Sequence, residues 1–145
     1  MKVTKIENID VKGIAVRTDN LSEMGSTTAK IGPMWEKFYS EIAPSLKDGA
    51  NVYGLYTNYE SDHNGTFDVV ACSDNIEAQN VSSYQIQAGN YLVFKGSGQM
   101  PQVVIELWQQ VWKYFELPSN HHKRAFNTDF ELYKSETEVE LFISV

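Results

Sequence analysis

The chain has few of the residues that mark disulfide-rich, metal-binding or nucleic-acid-binding proteins. Its 145 residues contain one cysteine, Cys72, which excludes an intramolecular disulfide and a multi-cysteine metal site. Twelve lysines and arginines stand against 19 aspartates and glutamates, so the basic clusters that contact phosphates are not expected. No apolar run approaches the roughly 18 residues of a membrane-spanning helix, and charges interrupt the opening MKVTKIENIDVKG. We therefore expect no signal peptide, membrane association or direct nucleic-acid binding.

The remaining composition predicts one packed, soluble, cytoplasmic domain spanning residues 1–145. Hydrophobic residues make up 42% of the chain and aromatic residues 12%, enough to form a core. The net charge of −7 is compatible with a cationic partner, and equally with ordinary solubility. A protein partner remains unidentified, and no cofactor or metal is expected.

Apolar periodicity predicts a mixed α+β chain. Alternation predicts a strand from about Ile6 to Thr18 and a hairpin turning at Asn64-Gly65. Helical spacing predicts one helix through Met34–Ile42, ending at Pro44, and a second in MPQVVIELWQQVWKYFELP. The strand-like stretch YQIQAGNYLVFKGSG precedes this second helix, and a final hairpin, AFNTDFELYKSETEVELFISV, follows it.

This order occurs twice, at about 1–78 and 79–145, each half reading strand, helix, strand, strand. YGLY in the first half corresponds to FELY in the second, which aligns Gly54 with Glu131 and Tyr56 with Tyr133. The repeat predicts two tandem units related by a pseudo-two-fold axis. Their antiparallel sheets would carry the helices on one face, with a ligand cleft between the units.

The stretch TDFELYKS places three polar residues on one face of a strand, Asp129, Glu131 and Tyr133. Two interpretations of Glu131 remain open at this point: it lies in a cavity lined by aromatic rings, or it points into water. In a cavity it would suit an organic cation, because aromatic faces and a carboxylate both attract positive charge. Asp129 is expected to start the strand near solvent.

Other candidate residues have simpler interpretations. Trp108 and Trp112 follow the helical stripe and are typical of core, although one of them could line a cavity. His121 and His122 are adjacent in a polar loop, and neighbouring residues rarely reach one metal ion. Cys72 lies in an apolar run and is expected to be a small buried side chain. Tyrosines near the predicted sheet could supply amphipathic binding surface: Tyr53, Tyr56, Tyr59, Tyr84 and Tyr91.

The quoted motifs together identify a resemblance that covers about Val3 to Val145. GNYLVFKGSG, ELWQQVWKYFELP, DFELYKS and VELFISV resemble the GyrI-like small-molecule-binding domain, the effector-binding domain of AraC-type and related bacterial transcription activators. The middle stretch, VYGLYTNYESDHNGTFDVVAC, resembles the stand-alone branch of that family. Because the proposed domain uses the whole chain, we expect no helix-turn-helix of the kind that many members carry. The last strand, LFISV, lacks the Trp and Pro common near the end of many members.

The resemblance implies a site as well as a fold. Glu131, in the FE-x-Y motif, would face the cleft and pair with cationic, often aromatic, ligands. The aromatic walls would correspond to Tyr56, Tyr91, Trp108 and Tyr133. The expected function is a stand-alone binding protein for amphipathic or aromatic organic cations, with no catalytic residues.

Two alternatives remain open from the sequence. A small-molecule hydrolase could use Glu131 and Tyr133 as acid–base groups in the same pocket. A protein inhibitor or regulator could present the acidic surface to a basic partner.

Overall fold

The computed structural model of the protein describes residues 3–145 and contains one eight-stranded sheet. Its neighbouring strands are all antiparallel, in the order β1-β6-β8-β7-β3-β4-β2-β5. The strands are β1 (Val3–Ile6), β2 (Ile9–Thr18), β3 (Val52–Thr57), β4 (Phe67–Ser73), β5 (Ser82–Ile86), β6 (Gly89–Ser97), β7 (Asp129–Tyr133) and β8 (Glu138–Ser144). The predicted antiparallel α+β architecture is confirmed, but as one continuous sheet.

Each half begins with two strands where the sequence predicted one. β1 is separate from β2, and β5 is separate from β6. The short strands pair across the halves, β1 with β6 and β5 with β2, and so form the two edges of the sheet. The connections β1–β2 and β5–β6 contact each other, because Asn8 Oδ1 accepts a hydrogen bond from the Ala88 amide at 2.7 Å. Side-chain alternation does not reveal such breaks, since both pieces remain extended.

The helices are α1 (Asn20–Glu23), α2 (Ile31–Lys37) and α3 (Gln102–Glu116). α2 continues through a π-helical turn, Phe38–Ile42, into a short 3-10 turn containing Pro44, where the predicted helix was expected to end. α3 confirms the second predicted helix and buries Val103, Leu107 and Val111. No helix within residues 3–145 combines the length and apolarity needed to cross a membrane.

The sheet curls and is buried on both faces. On one face, side chains from opposite ends of the strand order share one cluster, with Val11 and Ile86 from one end and Tyr91 and Phe142 from the other. The opposite face carries α2 and α3 over two further clusters. A polar side chain near the middle of the sheet is therefore buried whichever way it points, which matters for Glu131 on β7.

At the centre of the strand order β3 pairs with β7, and there Gly54 lies directly opposite Glu131. A Cβ built on Gly54 would overlap Glu131 Oε1 and would lie 3.2 Å from Trp35 Cζ2. The absence of a side chain at position 54 is what admits the carboxylate. The two residues that the repeat aligned, Gly54 and Glu131, are thus also cross-strand neighbours.

Substituting Gly54 by alanine is therefore expected to lower the free energy of unfolding by about 1–3 kcal/mol, the usual cost of overpacking. Gly89→Ala is the matched control, because a Cβ at Gly89 meets no atom within 4 Å. Urea denaturation of both variants measures the difference. Equal stabilities would contradict the close approach of Gly54 to Glu131.

Candidate functional site

The carboxylate of Glu131 lies under the helices with 2% of the residue exposed. Three side chains donate hydrogen bonds to it. Tyr56 Oη and Trp108 Nε1 reach Oε2 at 2.9 and 2.8 Å, and Tyr133 Oη reaches Oε1 at 2.8 Å. The open question of orientation is answered, since Glu131 points into the protein and away from water. Tyr56, Trp108 and Tyr133 are brought together around it.

No basic side chain within residues 3–145 forms an ion pair with Glu131. Burial raises the pKa of its carboxyl above the ordinary 4.5, and the hydrogen bonds from Trp108, Tyr133 and Tyr56 offset part of that rise. Burial, followed by the nearby Glu131 charge, also raises the pKa of the Tyr56 and Tyr133 hydroxyls. These tyrosines stay protonated at neutral pH and act as hydrogen-bond donors. Within residues 3–145, the Glu131 carboxyl thus has hydrogen-bond donors around it but no basic side chain paired with it.

Aromatic rings surround this carboxylate from both helices. Trp108 on α3 lies 4.8 Å from the Tyr56 ring and 6.3 Å from Trp112, centroid to centroid. Trp35 on α2 lies 5.3 Å from the Tyr133 ring. Trp108 and Trp35 therefore lie beside the Glu131 carboxylate and its donors, and Trp112 adjoins Trp108. Sequence reasoning missed Trp35, because its helical spacing is typical of a core residue. Its closeness to Gly54, which would have revealed its place, appears only once β3 and β7 are paired.

The aromatic group reaches the surface between α2 and α3. Tyr39, which stacks on Trp35 at 5.7 Å, is 56% exposed, and Trp112 is 40% exposed. Glu131 itself is covered by the rings that donate to it. Two surface depressions, of about 250 and 480 Å³, lie elsewhere: one beside Tyr114 and Leu117, the other beside Asp10, Asp74 and Tyr84. A ligand that reaches the carboxylate has to move at least one ring.

Tyr91, predicted as an aromatic wall, does not join this group. It is 1% exposed and packs against Phe130 and Phe142 in the cluster on the opposite face of the sheet. Its hydroxyl donates to the Gln87 carbonyl at 2.6 Å and lies 2.8 Å from Thr128 Oγ1. The prediction that Tyr91 lines the Glu131 site was wrong. The strand β6 is buried on both faces, so the sequence has no polar side that would show which way Tyr91 points.

Asp129 was expected near solvent, and this was wrong, because the residue is fully buried. Arg124, in the segment before β7, neutralises it through a 2.8 Å ion pair from Nη2 to Oδ2. Tyr59 Oη donates to the same oxygen at 2.5 Å, and the Ser144 amide donates to Oδ1 at 2.8 Å. β7 thus places two buried carboxylates on one face, of which one has an internal cation and the other has none.

The other candidate residues form no further site. Cys72 is fully buried, and burial raises the pKa of its thiol, so the predicted small buried side chain is confirmed. His122 Nδ1 lies 3.1 Å from Tyr114 Oη, in the segment after α3. Within residues 3–145, no group of three or more histidines, cysteines or carboxylates is arranged to hold a metal ion.

Comparison with known proteins gives a consistent result. A family profile described as "Cass2: Integron-associated effector binding protein" matches residues 2–145. The integron cassette protein VCH_CASS2 of Vibrio cholerae has a crystal structure with a TM-score of 0.94, at 50% identity over 99% of this chain and 94% of that one. YobU of Bacillus subtilis (strain 168), named as a candidate transcriptional regulator, is 29% identical over 92% of this chain and 88% of its own length.

A more distant structure shows the same fold. SAV2435, solved with bound tetraphenylphosphonium, has a TM-score of 0.71 at 15% identity, covering 98% of this chain and 91% of that one. The resemblance to GyrI-like effector-binding domains inferred from the motifs is confirmed.

Proposed function

The chain belongs to the integron-associated effector-binding family, and from this premise we propose that it binds aromatic or amphipathic organic cations beside Glu131. The observation that carries the proposal is a buried carboxylate without a counterion, covered by tyrosine and tryptophan rings. Burying a charge without a partner is unfavourable, so a bound cation would supply what the fold lacks. The tetraphenylphosphonium in the SAV2435 structure is a cation of this chemical class.

The rings add attraction and selectivity. Each well-placed aromatic face contributes about 0.5–2 kcal/mol to binding a cation, most when the contact is desolvated. Tyr56, Tyr133 and Trp108 already donate three hydrogen bonds to Glu131, so little acceptor capacity remains for a ligand. This arrangement favours cations whose charge needs no hydrogen bond over primary amines, which bring three N–H donors.

The protein contains its own example of such binding. The Arg124 guanidinium pairs with Asp129 and lies 4.4 Å from the Phe126 ring centroid, with Tyr59 and Trp108 within about 6 Å. A cation held by a buried carboxylate and aromatic faces is therefore stable in this core. Glu131, two residues along the same strand face, has the carboxylate and the rings but lacks the cation.

The proposal extends to the fold: the halves, at about 1–78 and 79–145, are tandem units related by a pseudo-two-fold axis. Outward from the central β3–β7 pair, the strand orders β3-β4-β2 and β7-β8-β6 correspond. Each of α2 and α3 packs on the strands of its own half. The axis would pass close to Gly54 and Glu131, which puts the ligand cleft at the junction of the units.

Binding without turnover is the form of the proposal that fits an effector-binding family. The raised pKa of Tyr133 keeps its hydroxyl protonated, so this hydroxyl donates to Glu131 and orients the carboxylate for a cation.

Titration with tetraphenylphosphonium tests the function. Trp108 donates to Glu131, Trp35 packs on Tyr133, and Trp112 adjoins Trp108, so intrinsic fluorescence reports on the site. We expect a saturable fluorescence change with micromolar affinity, which requires about 8 kcal/mol. Triphenylphosphine oxide, a neutral compound with three phenyl rings on the same phosphorus centre, is the control. Equal binding of the neutral and charged compounds would contradict the proposal.

Tyr91→Phe separates the two faces of the sheet. The variant loses two hydrogen bonds in the opposite cluster, so we expect a loss of about 0.5–1.5 kcal/mol in unfolding free energy. Its affinity for tetraphenylphosphonium should stay within about twofold of wild type, since Tyr91 has no contact with the Glu131 group. A large loss of affinity at unchanged fold would restore Tyr91 to the binding site.

A further inference from the structure

The buried guanidinium of Arg124 is incompletely satisfied. Its side chain is 7% exposed, and only Nη2 reaches Asp129, at 2.8 Å. Its Nε–H has no hydrogen-bond partner within residues 3–145. Nη2 also donates a long hydrogen bond to Tyr59 Oη, at 3.5 Å. The remaining contacts are aromatic, with ring centroids at 4.4 Å for Phe126, 5.8 Å for Trp108 and 6.0 Å for Tyr59. A bidentate pair would use two parallel N–H bonds, so this cation is held less firmly than its burial allows.

The carboxylate of Asp129 has firmer partners than Arg124. Its Oδ1 accepts hydrogen bonds from the Ser144 amide at 2.8 Å and from Ser144 Oγ at 3.1 Å, and Tyr59 Oη donates to Oδ2 at 2.5 Å. These donors belong to strand β8 and to the aromatic cluster, and they remain if the guanidinium leaves. Asp129 would then be an oriented carboxylate beside three rings, which is the same arrangement as Glu131.

We propose that Asp129 is a second cation subsite, which Arg124 fills when no ligand is bound, and that an elongated dication binds across Glu131 and Asp129. This inference rests on the proposed function at Glu131. Residues two apart on one strand face are separated by about 7 Å, a span that a short dication covers. Trp108 connects the subsites, because its Nε1 donates to Glu131 while its ring lies beside Arg124.

The exchange conserves charge within the site. One positive group of the ligand replaces the guanidinium, so Asp129 stays neutralised throughout. Arg124 moves to water, where its unpaired Nε–H gains a partner, and a quaternary ammonium leaves no N–H group unsatisfied in its place. Arg124 belongs to the segment 117–128 between α3 and β7, which contains no helix or strand, so its side chain can leave without breaking the sheet.

A matched pair of ligands tests the proposal: para-xylylene-bis(trimethylammonium), a dication, and benzyltrimethylammonium, its single-charge counterpart. We expect the dication to bind wild type roughly tenfold more tightly, beyond the statistical factor of two for its identical ends. The double variant Arg124→Met/Asp129→Asn removes the subsite without leaving a buried unpaired charge at position 129. In that variant the ratio of the two affinities should fall to the statistical factor. Arg17→Met/Asp68→Asn, which removes an exposed ion pair, should leave the ratio unchanged.

Nuclear magnetic resonance of the arginine Nε–H groups provides a second readout. The dication should shift the Arg124 signal and expose it to exchange with water, whereas benzyltrimethylammonium should leave it in place. If wild type binds benzyltrimethylammonium tightly and the dication only twofold more tightly, the second subsite is overturned and the Glu131 proposal stands. If wild type binds neither compound, both proposals are overturned.

Discussion

Replacing Glu131 by glutamine is expected to weaken binding of tetraphenylphosphonium at least tenfold while making the ligand-free protein more stable. The affinity falls because a close buried charge pair contributes about 1.5 kcal/mol or more. The stability rises by roughly 1 kcal/mol because an amide of the same shape replaces a buried carboxylate that has no counterion. Fluorescence titration and urea denaturation measure the two effects. A variant that binds as wild type does, or that loses stability, would contradict the role given to Glu131.

The same residue predicts a pH dependence with a definite sign. Burial raises the pKa of Glu131 in the folded state above its ordinary 4.5, so the fold binds this proton more tightly than the unfolded chain does. The stability contributed by the protonated group is complete below pH 4.5 and is lost as the pH rises through the folded value. The advantage of Glu131→Gln over wild type should therefore shrink on acidification. Cation affinity of wild type should decrease over the same range, beginning above pH 4.5.

Removing Arg124 alone is expected to give the largest loss of stability. Arg124→Met leaves Asp129 buried with its charge unpaired, and breaking a buried ion pair in this way costs about 3–5 kcal/mol. Adding Asp129→Asn should recover most of the loss, since it removes the unpaired charge. Unfolding free energies of the single and double variants, from urea denaturation at neutral pH, measure the effect.

The exposed pair of Arg17 and Asp68 is the control for this prediction. Its side chains are 43% and 23% exposed, and Arg17→Met should cost about 1 kcal/mol or less. If Arg124→Met lowers the free energy of unfolding no more than Arg17→Met does, the ion pair between Arg124 and Asp129 is not buried in solution.

Strand alternation and the FE-x-Y motif located Glu131 and Tyr133 on one face, and the repeat located Gly54 opposite them. The shared face was predictable because strand alternation is local geometry. The position of Gly54 came from the repeat alignment, since its pairing with Glu131 joins distant parts of the chain. The burial of Asp129 was not predicted, because its counterion comes from SNHHKR, a stretch that reads as solvated loop. Only tertiary structure shows that the side chain of Arg124 turns inward.

Tyr91 was predicted to belong to the aromatic wall, and Trp35 was not, for a related reason. Both faces of the curled sheet are apolar, so alternation could not tell which side of β6 faces the helices. Trp35 lies within the predicted helix Met34–Ile42 and was not singled out, yet it lies over the Gly54–Glu131 pair, in contact with Tyr133. The identity of the carboxylate was predictable from the sequence, and the membership of its aromatic surroundings was not.

A crystal structure of the protein with tetraphenylphosphonium tests the central claim most directly. We predict that the cation lies beside Glu131 between α2 and α3, with at least one of the rings of Tyr56, Trp108 and Tyr133 moved from its present hydrogen bond. A cation bound elsewhere, for example in the acidic depression beside Asp10 and Asp74, with all three hydrogen bonds to Glu131 intact, would contradict it.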